Sequence, residues 1–188
     1  MAGHDAAASA GGYLYQTDWA LVDLLRKGHT RPDQAITLEL HDDVAWSEVS
    51  DITDPAELLQ VKLHTTSKSA GLGDMAVDIW KTIKIWLDRP DRADPQGPDL
   101  LLVTTSIATE GSAAHALRPA SFNIDAATSR LLIAARESTN KDTAASRDEF
   151  LKLDDATRSS MLSRARVLDG QLPPEDLGAS VREALTSS

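Results

Sequence analysis

Hydrophobic and polar positions alternate along this chain with periods that change from segment to segment. Between residues 10 and 27 the leucines at 14, 21, 24 and 25 recur at near-helical spacing, and Gly28 follows as a stop signal. Residues 36–40 and 57–64 read as strands, because β-branched and aliphatic residues are interleaved with polar ones at a period of two. The segment between them, 44–55, carries Asp51, Thr53, Asp54 and Pro55, and is expected to turn. Gly71 and Gly73 lead into a predicted helix over 74–87 with Met75, Ile79, Ile83 and Trp86 as its apolar stripe, ended by Arg89-Pro90.

Residues 99–105 form a continuous apolar run of strand length, the pattern of a central strand covered on both faces. A helix separates it from the preceding strand, so a right-handed parallel crossover is the expected connection. The remainder is rich in alanine, leucine and charge, with helices expected over 112–117, 126–135, 146–168 and 174–185. The fold class is therefore α/β: a central mixed β-sheet flanked by helices, with a helical C-terminal portion. The Leu-rich helices are expected to shield an edge or face of that sheet. No internal repeat or low-complexity linker interrupts the chain. A single domain over 1–188 is expected, its core about 11–106 and its helical part about 112–188.

Composition narrows the chemistry. The 188 residues contain no cysteine, which excludes thiolate zinc sites, redox pairs and disulfide scaffolds. No apolar run approaches the roughly 18 residues that a spanning helix needs, so a cytoplasmic protein with no membrane partner is expected. A net charge of −10 argues against a broad basic surface, so contact with nucleic acid has to be local or assisted. Lys62, Lys68, Lys81, Lys84 and Arg89 are grouped in the middle of the chain. Asp148, Glu149, Asp154, Asp155, Asp169, Glu175 and Asp176 lie towards its end.

The candidate chemistry sits at the ends of the first two predicted strands. Alternation along 57–64 puts Gln60, Lys62 and His64 on one face and Leu59, Val61 and Leu63 in an apolar layer. If the earlier strand pairs alongside, Asp43 meets Gln60 and Lys62 at one point. Such a point suits a hard divalent cation with a lysine beside it, the outline of a metal-dependent phosphodiesterase. His41 and His64 lie close enough to suggest zinc, but without cysteines a supporting or phosphate-contacting role is the better reading. His4, His29 and His115 have no ligand partners at recognisable spacing. Ser67, Ser69, Gly71 and Gly73 lack the spacing of a phosphate-binding loop, and Ser106 lacks a nucleophile elbow. Trp80 and Trp86 are expected at an interface between two copies.

Gly12-x-x-Tyr15-Gln16, Glu39-x-x-Asp42-Asp43 and Leu59-Gln60-Val61-Lys62 together resemble the double-stranded DNA endonuclease domain of bacterial anti-phage effectors. That domain is a branch of the PD-(D/E)xK, or restriction-endonuclease-like, superfamily, and the resemblance covers about 11–105. It implies Mg²⁺-dependent cleavage of double-stranded DNA with little sequence preference, Mn²⁺ serving as a substitute. Cutting both strands calls for two active sites, so a homodimer or higher oligomer is expected; the resemblance further implies a sensor or activating domain in the same or another chain, with this one either a whole protein or the N-terminal domain of a larger effector. By the same resemblance Asp43 binds the metal, with Asp42 as the alternative; alternation along the strand puts Glu39 on the same face as Asp43, so one ion is expected to contact Asp43 directly and Glu39 directly or through water. Gln60 stands where most of the superfamily has an acid, the Val61 carbonyl is a further ligand, and Lys62 acts on the attacking water or on the developing charge. Gln16 supports the metal cluster or a phosphate, and His64 is a further supporting candidate. The alternative is a catalytically inactive module of the same fold, serving DNA binding or protein assembly.

Overall fold

The computed structural model describes residues 2–64 and 71–186, with side chains from Ala10 onward. Ser67, Lys68 and Ser69 lie outside the described residues, as does the side chain of His4. Helix α1 (Ala2–Lys27) is followed by β1 (Gln34–Leu38), β2 (Val44–Glu48) and β3 (Asp51–Lys62), an antiparallel meander. Helix α2 (Val77–Asp88) then carries the chain across to β4 (Asp99–Thr104), which pairs with β3 in parallel. Short α3 (Ala113–Ala116), then α4 (Ile124–Glu137), α5 (Ala144–Lys152) and α6 (Asp155–Ser163) precede β5 (Ala165–Leu168), which is parallel to β4. Helix α7 (Pro174–Thr186) completes the fold. The sheet is mixed, five-stranded, and ordered β1-β2-β3-β4-β5. This is the α/β core with flanking helices and helical C-terminal part that the pattern predicts, consistent with a restriction-endonuclease-like core.

The sheet separates two apolar layers. On one face Leu58, Leu100, Leu102 and Val167 meet Trp80, Trp86, Leu131, Phe150 and Met161 from the helices between β3 and β5. On the other face Val44, Trp46, Leu59, Val61, Leu101 and Val103 meet Tyr15, Trp19 and Val22 of α1 and Leu177 of α7. The run Leu100–Val103 thus feeds both layers, as its unbroken hydrophobicity requires. Leu59 and Val61 are buried in the α1 layer, with Leu63 packed against them, as alternation predicts.

Five expectations are corrected. The predicted turn at 44–55 instead contains all of β2 and the start of β3. Val44, Ala45 and Trp46 are fully buried, and that burial outweighs the turn propensity of the polar residues after them. Pro55 is accommodated because the register against β2 shifts between Trp46 and Glu48, where a missing backbone donor costs little. The helix expected over 146–168 is broken at Leu153-Asp154, where the Asp154 carboxylate caps α6 by accepting from Thr157 N at 2.7 Å. It gives way entirely to β5, where Ala165 and Val167 turn inward.

The leucines of α1 do not face the core. Leu14, Leu21 and Leu24 are 62%, 42% and 38% exposed, whereas Tyr15, Gln16, Trp19, Ala20, Val22 and Asp23 are buried. Aromatic volume, together with a buried hydrogen bond from the Trp46 indole to Asp23 at 2.9 Å, decides which face packs on the sheet. Trp80 and Trp86 are core residues rather than an interface, being 0% and 2% exposed. The Trp80 ring meets Phe150 edge-on, and its indole donates to Asp74 O at 2.8 Å. Met75, placed in that stripe by the sequence, is exposed and precedes α2.

Candidate active site

The register between β2 and β3 sets Val44 opposite Leu59, and one step further brings Asp43 alongside Gln60. The Asp43 carboxylate accepts from Val61 N at 2.9 Å, which clamps the end of the β1–β2 loop onto the middle strand. Gln60 is buried on the opposite face from Leu59, and Lys62 follows it two positions on, at the strand end. The Lys62 ammonium donates to the Gln60 side-chain oxygen at 3.0 Å and lies 3.5 Å from Asp43 Oδ2. Asp43, Gln60 and Lys62 therefore meet at one point, with a cation seated against two oxygens.

The loop that delivers Asp43 is strained and braced. β1 ends at Leu38, and Glu39 adopts a left-handed conformation with φ of 55°, costly for a residue with a Cβ. Glu39 N donates back to Asp43 O at 3.3 Å, closing the loop neck. Gln16, buried on α1, donates to the Glu39 carboxylate at 3.1 Å and also to Asp43 O. Glu39 thus comes near Asp43 through a turn held by α1, and not by alternation along a continuing strand.

Within the same loop Asp42 accepts from Asp43 N at 2.9 Å. Burial pushes the Asp42 carboxyl up from 3.8 to about 7, and the Asp43 charge adds to the rise. The Asp43 amide, Lys62 and Arg89 oppose it without cancelling it.

The two histidines diverge. His41 hydrogen-bonds Ile52 O at 2.7 Å, out on the β2–β3 hairpin. His64 pairs with Asp78 in the first turn of α2, and its amide donates to Thr105 at 2.9 Å. His64 and Asp78 border a cavity of about 190 Å³ together with Gly71, Leu72 and Ser106. Asp78 carries no sequence signal, because its neighbourhood with His64 exists only once α2 folds over the strand ends. The mid-chain basic group is largely spent: Lys84 pairs with Asp88 and Glu149, and Arg89 with Asp91.

A hard divalent ion fits this donor set. Among the described residues no three of His, Cys, Asp and Glu converge, so a cage of acidic side chains is absent there. What converges is the Asp43 carboxylate and the Gln60 amide oxygen, already satisfied by a lysine ammonium, a stand-in for bound positive charge. Mg²⁺ is commonly held by one or two carboxylates, with substrate phosphate and water completing its shell.

Residues 4–84 match the family model for the dsDNA endonuclease domain of Cap4. The matched span runs from α1 into α2 and contains Gln16, Glu39, Asp42, Asp43, Gln60, Val61 and Lys62. It agrees with the resemblance carried by the sequence motifs. No curated protein and no solved structure gives a significant match. No helix among the described residues is long and apolar enough to cross a membrane.

Proposed function

We propose, from the premise that residues 4–84 are related to the Cap4 dsDNA endonuclease domain, that this protein is a metal-dependent endonuclease. It hydrolyses phosphodiester bonds of double-stranded DNA with little sequence preference, as a cytoplasmic effector of anti-phage defence. The observation that carries the reading is the Lys62 ammonium held between Asp43 and Gln60. Asp43, the Gln60 amide oxygen and the Val61 carbonyl would hold Mg²⁺ or Mn²⁺, with Glu39 as a further direct or water-mediated contact. The ion supplies positive charge against the scissile phosphate.

The remaining work belongs to the chain. Lys62, seated at the strand end against the Asp43 and Gln60 oxygens, is placed to orient the attacking water and to neutralise charge building on the phosphoryl oxygens. Gln16 fixes the Asp43 loop, so the carboxylate is in place before substrate arrives. At −10 the protein has little electrostatic affinity for DNA of its own. Assembly as a homodimer or higher oligomer, driven by a sensor or activating domain, raises its local concentration on DNA.

A second reading is favoured by the amide at position 60, which removes one negative charge from the site: an inactive module of the same fold that binds DNA or assembles proteins. Cleavage of supercoiled plasmid separates the two. The nuclease nicks or degrades it with Mg²⁺ or Mn²⁺, and both Lys62→Ala and Asp43→Ala abolish the activity. Folded protein that neither cuts nor shows metal binding sensitive to Asp43→Ala is the inactive module.

A further inference from the structure

Helix α1 carries a second pattern that its contact with the sheet does not use. Ala10, Leu14, Thr17, Leu21 and Leu24 follow one another at steps of 4, 3, 4 and 3 residues. That mean step of 3.5 is the seam of two helices wound together, not the broader stripe of a helix packed on a sheet. The seam is open: Leu14, Leu21 and Leu24 are 62%, 42% and 38% exposed, and Tyr13 beside them is 52% exposed. The inner face of α1 is already filled by Tyr15, Trp19 and Val22, and α7 is tied to α1 by Arg26 donating to Ser180 at 2.7 Å.

We infer that this seam is the contact between two copies of the protein, α1 against α1 about a two-fold axis. The period calls for a helix with the same spacing. Among the described residues the other helices expose large aliphatics singly, Ile133 on α4 and Leu185 on α7, so α1 is the seam's only match within the chain. An antiparallel pair sets Leu14 against Leu24 of the other copy and Thr17 against its Leu21, so each leucine is covered and the contact is isologous.

The area defines its strength. The exposed parts of Tyr13, Leu14, Leu21 and Leu24 amount to about 400 Å² per copy, roughly half of what a standard interface buries on each side. With Thr17 in the seam, the pair is weak and reversible. Gln16 is buried against the Asp43 loop and takes no part in the seam, so pairing leaves its hydrogen bonds in place. The inference rests on the oligomer proposed above and gives it a surface, yet its readout is mass, so its failure leaves metal binding and cleavage as they stand.

Sedimentation of the isolated chain over a wide concentration range, at low and high salt, tests it. The weight-average mass rises from 20.2 kDa towards twice that value with concentration. High salt strengthens the pairing, because it screens repulsion between two chains of −10 each. Leu14→Glu with Leu21→Glu stays monomeric throughout, with an unchanged thermal melt. Should that variant misfold, the absence of native cysteine allows a second test. A mixture of Thr17→Cys and Leu21→Cys chains, whose positions face each other across the pair, then forms a mixed disulfide-linked dimer on oxidation, and Ile133→Cys does not. A wild-type mass fixed at the monomer, or cross-linking of Ile133→Cys equal to that of the mixture, overturns the inference.

Discussion

Replacing Asp42 by asparagine makes the protein more stable at neutral pH and nearly neutral in effect at acid pH. In the folded chain the Asp42 carboxyl is raised from 3.8 to about 7 by burial, with the Asp43 charge adding to the rise. Between these values the native state binds a proton that the unfolded chain has released. Stability from this group is therefore fully present below pH 4 and is lost as pH rises through about 7. The full shift corresponds to about 4 kcal/mol at most, since one unit is worth ~1.36 kcal/mol. Part of that loss falls below pH 5, so the change between pH 5 and 8 is about 2–3 kcal/mol at most, and solvent access to the loop brings it towards the lower figure. Asparagine retains the oxygen that accepts from Asp43 N at 2.9 Å but cannot ionise. Urea unfolding of both proteins at pH 5 and pH 8, in chelator so that no metal perturbs the loop, measures the effect. Asp42→Asn gains stability relative to wild type by about 2–3 kcal/mol on moving from pH 5 to pH 8. Parallel pH profiles for the two proteins would refute the argument that Asp42 is held neutral by burial.

Other perturbations separate the site from the scaffold. Gln16→Ala removes the donor shared by Glu39 and Asp43 O and costs about 1–3 kcal/mol by urea unfolding. Its plasmid cleavage falls as well, and an unchanged rate would free the Asp43 loop from dependence on α1. Gln60→Glu replaces the amide by a carboxylate of the same shape and tightens Mg²⁺ by about tenfold in calorimetry, ~1.4 kcal/mol. Unchanged affinity there would remove Gln60 from the ligand set. Trp80→Ala empties a fully buried site against Phe150 and costs about 3–5 kcal/mol, with no change in the mass of the folded protein. A loss of self-association without loss of stability would return Trp80 to an interface role.

The sequence by itself determined the parts governed by local periodicity. The unbroken run Leu100–Val103 announced a strand covered on both faces, and 57–64 announced an alternating strand with Gln60 and Lys62 on one side. Gly28, Pro90 and the spacing of apolar residues located most of the helices. Gln60 and Lys62 were legible because they sit within a strand of clear period, whereas Gln16 and Asp43 were legible only through the motif set they complete.

Tertiary structure alone decided what depends on the partner across a layer. Val44–Glu48 became a strand because the Trp46 ring and the Leu59 side fill one layer, which no local rule weighs against the turn residues that follow. The segment after Ser163 became β5 because β4 offered an open edge for Ala165 and Val167. Packing of Tyr15 and Trp19 on the sheet turned the leucines of α1 outward, and packing of α2 turned Trp80 inward. The site follows the same division. Side-chain identity named its donors, but the distances of 2.9, 3.0 and 3.5 Å that join Asp43, Val61, Gln60 and Lys62 exist only through strand register and the α1-braced loop. Periodicity is a property of neighbours in sequence, whereas burial and proximity are set by residues tens of positions away.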